Sequence, residues 1–162
     1  MYSKVYLVMD TIIGITSGEP AGIGPDLLVQ LAQHPCQHTL VAIADADLLK
    51  QRAKQLGLPL KLTDQHQSHQ AGQLTIIHVP LTSSCQPGVL NPANAQYVMS
   101  TLTEAANRCL QSELDAIVTP PVHKGILNQA GIAFSGHTEF FAELTQARQV
   151  VMMLANDQVR VA

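Results

Sequence analysis

Apolar and polar positions follow two rhythms along this chain. Aliphatic, largely β-branched runs at residues 11–16, 39–44, 60–63, 74–79 and 115–118 have the length and flanking breaks of buried strands. Between them the apolar positions recur with helical spacing: Leu27, Leu28, Leu31 and Ala32, then residues 46–56, then Ala95, Val98, Met99, Leu102, Ala105, Ala106, Cys109 and Leu110. Gly57 and Pro59 end the second helix, and Asn91 caps the third with Pro92 in its first turn. Residues 122–130 are helical in composition and stop at Gly131. Ser135 to Glu139 opens another helix, capped by Thr138 or Ser135, with Phe140 and Phe141 on its inner face. Residues 149–154 read as a strand, and residues 159–161 resume strand alternation after an Asn156-Asp157 turn. The order β-α-β-α-β-β-α-β-α-α-β-β predicts a layered α/β sheet.

Composition narrows the picture. A length of 162 residues suits one ordinary domain, and 46% hydrophobic content can fill a core. Charged residues make up only 13%. Such sparse charge fits either a surface covered by a partner or further chain, or a domain rich in Gln, Ser and Thr. A net charge of −3 leaves no basic footprint for nucleic acid. No apolar run has the roughly 18–20 residues of a membrane span. The first ten residues lack the cleavage site of a signal peptide, so the expected compartment is the cytoplasm. Cys36, Cys85 and Cys109 match no metal-ligand spacing and suit a reducing environment; Cys109 lies on a core stripe as a small apolar filler. The sequence ends at Ala162 inside an apparent strand, which predicts a truncated chain.

Chemistry concentrates in two places. Between the first strand and first helix, S-G-E-P-A-G-I-G-P-D places Gly18, Gly22 and Gly24 around a proline. Such a loop either cradles a phosphate through backbone N–H groups or is a structural turn. Its spacing matches neither common phosphate-loop pattern, and Glu19 and Asp26 would repel an anion. The second place is the segment after residue 118. Pro120 and Pro121 take the chain out of the sheet, one strand end delivers His123 and Lys124, and a following helix start delivers His137 and Thr138. Ligands of open α/β folds sit at such strand ends and helix starts. Lys124 is a candidate phosphate ligand from its position, whereas His123 is as well suited to packing and Glu139 to a plain first-turn acid. His66 and His69, three apart in a polar loop, are read as solvated residues or a metal pair lacking a third ligand.

Four motifs in order, T-S-G-E-P-A-G-I-G-P-D (16–26), T-P-P-V-H-K-G (119–125), G-H-T-E-F-F (136–141) and V-V-M-M-L (150–154), closely resemble the 4-hydroxythreonine-4-phosphate dehydrogenase family, from about Ile13 to the last residue. The resemblance implies a layered α/β/α mixed sheet of the isocitrate and isopropylmalate dehydrogenase type, present as a fragment. It implies most of a first subdomain in residues 1–130 and the beginning of a second in 131–162. The implied reaction is NAD- or NADP-dependent oxidation of 4-phosphohydroxy-L-threonine with decarboxylation to 3-amino-2-oxopropyl phosphate, a step in pyridoxal 5′-phosphate biosynthesis. By the same resemblance the substrate contacts are His137 and Thr138. The family's divalent metal (zinc, magnesium or cobalt) is held by histidines from both subunits of a homodimer, at positions beyond Ala162, so the fragment alone is expected to be inactive. Alternatives are a dehydrogenase of four-carbon sugar-acid phosphates, a non-catalytic binding fragment, and more remotely an acyl- or phosphotransferase.

Overall fold

The computed structural model of the protein describes residues 11–64 and 70–162; the histidine pair at 66 and 69 lies outside them. Five strands form one parallel sheet: β1 (Ile12–Thr16), β2 (Thr39–Ala44), β3 (Lys61–Thr63), β4 (Gln73–His78) and β5 (Ala116–Val118), in the order β3-β4-β2-β1-β5. Parallel strands need crossovers, and most of the helices supply them: α1 (Gly24–Leu31) between β1 and β2, α2 (Ala46–Leu56) between β2 and β3, and α3 (Ala95–Leu110) between β4 and β5. Two further helices follow β5, α4 (Lys124–Gln129) and α5 (His137–Thr145).

The period of two in the strands builds the layers. Along β2, whose six residues are all buried, Leu40, Ala42 and Ala44 pack with Leu28, Ala32 and Leu49 of the α1 and α2 layer. Val41 and Ile43 join Ala105 and Leu114 on the other face. A strand covered on both faces must be apolar throughout, which is why T-L-V-A-I-A does not alternate. A third cluster, Leu48, Tyr97, Val98, Leu102, Leu127 and Phe134, ties α4 to α2 and α3, with Phe140 and Phe141 packed against it as expected. The layered α/β expectation holds. Every pairing within the main sheet is parallel, and the antiparallel pair stands apart as a separate hairpin.

Three local expectations differ. The strand read over residues 149–154 is reduced to β6 (Leu154–Ala155), paired with β7 (Arg160–Val161). Val150, Val151, Met152, Met153 and Leu154 are 47–69% exposed, and an apolar run without a neighbouring edge has no ladder to join. Leu110 falls off its stripe at 59% exposure. At about 100° per residue it lies about 120° around α3 from Val98. Leu27 and Leu31 are also open rather than core, because they border a groove of about 450 Å³ between α1 and β5.

Candidate active site where helices α4 and α5 begin

Beyond β5 the chain turns through Thr119, Pro120 and Pro121, which cannot extend the ladder. His123 then caps α4: its Nδ1 accepts from Ile126 N at 3.1 Å, which leaves the ring proton on Nε2. Lys124 is thereby the first residue of the helix, while Ile126 and Leu127 are buried and anchor it. After Gly131, whose φ of 82° favours glycine, Asn128 Oδ1 accepts from Phe134 N at 3.1 Å and brings the chain back. Gly136 occupies the cap position of α5 without any side-chain cap bond. Neither Ser135 nor Thr138 caps this helix, because Gly136 stands between them at the helix start. The cap position of α5 therefore offers its first amides no side-chain acceptor.

His137, first in α5, is half-buried between Phe134, edge-on at 5.7 Å between ring centroids, and Phe141, stacked at 6.1 Å. Its Nε2 is buried without a hydrogen-bond partner among the described residues. Burial, then the nearby Lys124 ammonium, hold its pKa below the ordinary value, so the ring is neutral at neutral pH. Thr138 is exposed beside it. A Cβ added at Gly136 would lie 3.4 Å from Lys124 Nζ and 2.8 Å from Glu139 Oε2. Lys124, His137 and Glu139 thus converge on Gly136 from two helices, with Thr138 next in the chain. An ammonium, an imidazole with a free nitrogen, a hydroxyl and uncapped amides, with the Glu139 carboxylate among them, form a small set suited to a hydroxylated ligand that carries both an anionic and a cationic group.

Part of the glycine loop is bonded within the protein. Glu19 N donates to Pro121 O at 3.0 Å, Gly22 N to Glu19 O at 2.9 Å, and Ala21 N to Glu19 Oε1 at 3.1 Å. These three amides are spent within the protein. Nor do three of His, Cys, Asp or Glu gather as a metal site among the described residues. No described helix is long and apolar enough to cross a membrane.

Sequence reasoning missed the polar groups that hold this end of the sheet. Buried Arg52 reaches both Asp26 oxygens at 3.2 and 3.1 Å and Pro20 O at 3.0 Å. Tyr97 Oη meets Ser17 Oγ at 2.6 Å and accepts from Asp45 N at 3.1 Å, and burial pushes its pKa up to about 12. Asp45 caps α2 through Leu48 N at 2.8 Å and takes Leu81 N at 2.9 Å. The available signal was periodic: Arg52 lies on the stripe of Leu48, Leu49 and Ala53, and Tyr97 on that of Val98 and Thr101.

In a parallel, layered α/β sheet, strand ends and helix starts are where small molecules bind. The family described as pyridoxal phosphate biosynthetic protein PdxA matches residues 36–162. The chain belongs to that family. It is 54% identical over 153 residues to 4-hydroxythreonine-4-phosphate dehydrogenase of Vibrio cholerae serotype O1, covering 91% of this chain and 46% of that protein. A relative of the same name from Pseudomonas syringae pv. tomato is 52% identical, with 91% and 47% covered. The crystal structure of 4-hydroxythreonine-4-phosphate dehydrogenase from Klebsiella pneumoniae superposes with a TM-score of 0.83 at 26% identity, over 93% of this chain and 49% of that one. That from Burkholderia phymatum gives 0.84 at 28%, over 94% and 48%. The chain spans about half the length of the curated relatives it matches.

Proposed function

We propose that the protein to which this chain belongs oxidises 4-phosphohydroxy-L-threonine with NAD or NADP, the β-keto acid then losing CO2 to give 3-amino-2-oxopropyl phosphate. The reading is carried by the convergence at Gly136: the unpartnered His137 Nε2 and the Lys124 ammonium stand at the uncapped start of α5. In this reading Lys124 and the α5 amides take the phosphate, and the neutral His137 ring and the Thr138 hydroxyl hold the substrate's hydroxyl and carboxylate end. The divalent metal of this chemistry would polarise the carbinol oxygen. Its ligands, and the contacts of the nicotinamide, belong to chain outside these residues, so the fragment is expected to be inactive by itself. Residues 131–162 are the beginning of a second subdomain. The exposed apolar run from Val150 to Leu154 is surface for the rest of the chain or for the second copy of a homodimer to cover, and the cytoplasm is the expected compartment.

The test replaces His137 and Thr138 together by alanine in the full-length enzyme. Loss of kcat/KM on 4-phosphohydroxy-L-threonine by at least 100-fold is expected, equivalent to about 2.7 kcal/mol of transition-state binding. Unchanged kinetics would refute the placement. A wild-type enzyme that reduces NAD(P) only with a four-carbon sugar-acid phosphate would refute the substrate.

A further inference from the structure

We propose that Glu139 is the specificity residue of this site, taking the ligand's ammonium group while Lys124 takes its phosphate across the bare backbone of Gly136. The inference rests on the reading of Lys124 as the phosphate ligand, and narrows an anion site to one for an amino-acid phosphate. The position that a Gly136 side chain would fill lies 2.8 Å from Glu139 Oε2 and 3.4 Å from Lys124 Nζ. Yet the ammonium and the carboxylate do not meet as an ion pair among the described residues. Both side chains are exposed, with Gly136 buried beneath them. The φ of 171° at Gly136 is extended backbone that any residue adopts, so what glycine supplies here is the open gap. Opposite charges that face one gap without closing it leave room for a molecule carrying the complementary pair.

Glu139 also stands in the first turn of α5, where the helix dipole favours an acid. That role explains an acid at this position, but it sets a negative charge beside the groups read as phosphate ligands. A carboxylate so placed repels a ligand that brings only phosphate and carboxylate. It attracts one that adds an ammonium, so attraction to one substrate and rejection of another come from the same charge. 4-Phosphohydroxy-L-threonine carries all three groups, whereas a four-carbon sugar-acid phosphate has a hydroxyl where the ammonium would be. That hydroxyl can donate a hydrogen bond to Glu139 but brings no charge. The neighbouring His137 Nε2, buried without a partner among the described residues, and the Thr138 hydroxyl serve either ligand and do not separate them. Glu139 does.

The test titrates the full-length enzyme with two unreactive probes, followed by calorimetry. O-Phospho-L-homoserine keeps the ammonium, carboxylate and phosphate but lacks the carbinol that is oxidised; 4-phosphooxybutanoate lacks the ammonium as well. The wild type is expected to bind the first roughly ten- to a hundredfold more tightly, the scale of one hydrogen bond between charged groups. Glu139→Gln keeps the shape, removes the charge and is expected to bring the two probes to near-equal affinity. Glu139→Asp restores part of the preference. Lys124→Met is expected to weaken both probes alike, because both carry the phosphate, and to leave the preference intact. A wild type that does not distinguish the probes overturns the proposal. So does a Glu139→Gln enzyme that keeps the preference, or one that loses affinity equally for both, which is the mark of a merely structural acid. If Lys124→Met binds both probes as the wild type does, the phosphate reading of Lys124 fails, and the loss or survival of the preference in Glu139→Gln still decides the role of Glu139. Binding of these probes needs no turnover, so a failure of the proposed reaction leaves the outcome readable.

Discussion

Replacing Arg52 by methionine isolates what one buried cation does for the loop that meets the candidate site. Its guanidinium is 4% exposed and donates to both oxygens of Asp26, to Pro20 O at 3.0 Å and to Gly22 O at 3.4 Å. Breaking a fully buried ion pair from one side costs about 3–5 kcal/mol. Asp26 keeps 24% of its side chain in water and can rehydrate, so the cost falls below that range. The two carbonyls lose donors at about 1–3 kcal/mol each where no water enters. Methionine retains most of the apolar stem and offsets part of the packing loss. The net expectation is a loss of about 2–4 kcal/mol. For a chain of this size that corresponds to a fall in Tm of roughly 4–16 °C, at 2–4 °C per kcal/mol. Urea unfolding followed by circular dichroism should show the midpoint reduced with m unchanged. Asp26→Asn added to Arg52→Met should cost little more, because the two side chains act as one unit. A loss under about 0.5 kcal/mol for Arg52→Met, or full additivity in the double variant, would refute the reasoning, since surface substitutions already fall in that range.

Two further outcomes follow from groups whose partners are missing or displaced. His137 titrates below its unfolded value of 6.5, chiefly through burial and then through Lys124. In the window between its lowered folded pKa and 6.5 the unfolded chain binds more protons, so its contribution to stability is complete above 6.5 and is lost as pH falls through that window. NMR titration should place the His137 midpoint below 6.5, and a midpoint at or above it would contradict the burial. Thr16 Oγ1 is buried with no hydrogen-bond partner among the described residues, at the end of β1. Thr16→Val should therefore stabilise the fold by about 1 kcal/mol in the same urea assay, whereas a loss of that size would mean that the hydroxyl is bonded.

The strands and the first three helices were legible because each obeys a local rule. β2 is apolar throughout since both faces are covered, α2 ends at Gly57, and the turn after β5 begins with two prolines. The order of those elements was enough to predict layers. His137, Thr138 and Lys124 were legible as candidates because strand ends and helix starts are marked in sequence by the same punctuation.

Tertiary structure decided everything that depends on what lies across a gap. That the glycine loop is tied to the proline turn depended on Pro121 O, some hundred residues away in the chain. Which residue caps α5, and that Arg52 is buried and paired, depended on packing between elements. The apolar run from Val150 to Leu154 shows the converse. Its composition specifies a strand, but a strand is completed only by hydrogen bonds to another, and among the described residues only Leu154 finds a partner, in β7. Sequence sets what each segment can form by itself; contact between segments sets which of those possibilities carries a charge, a cap or an open face.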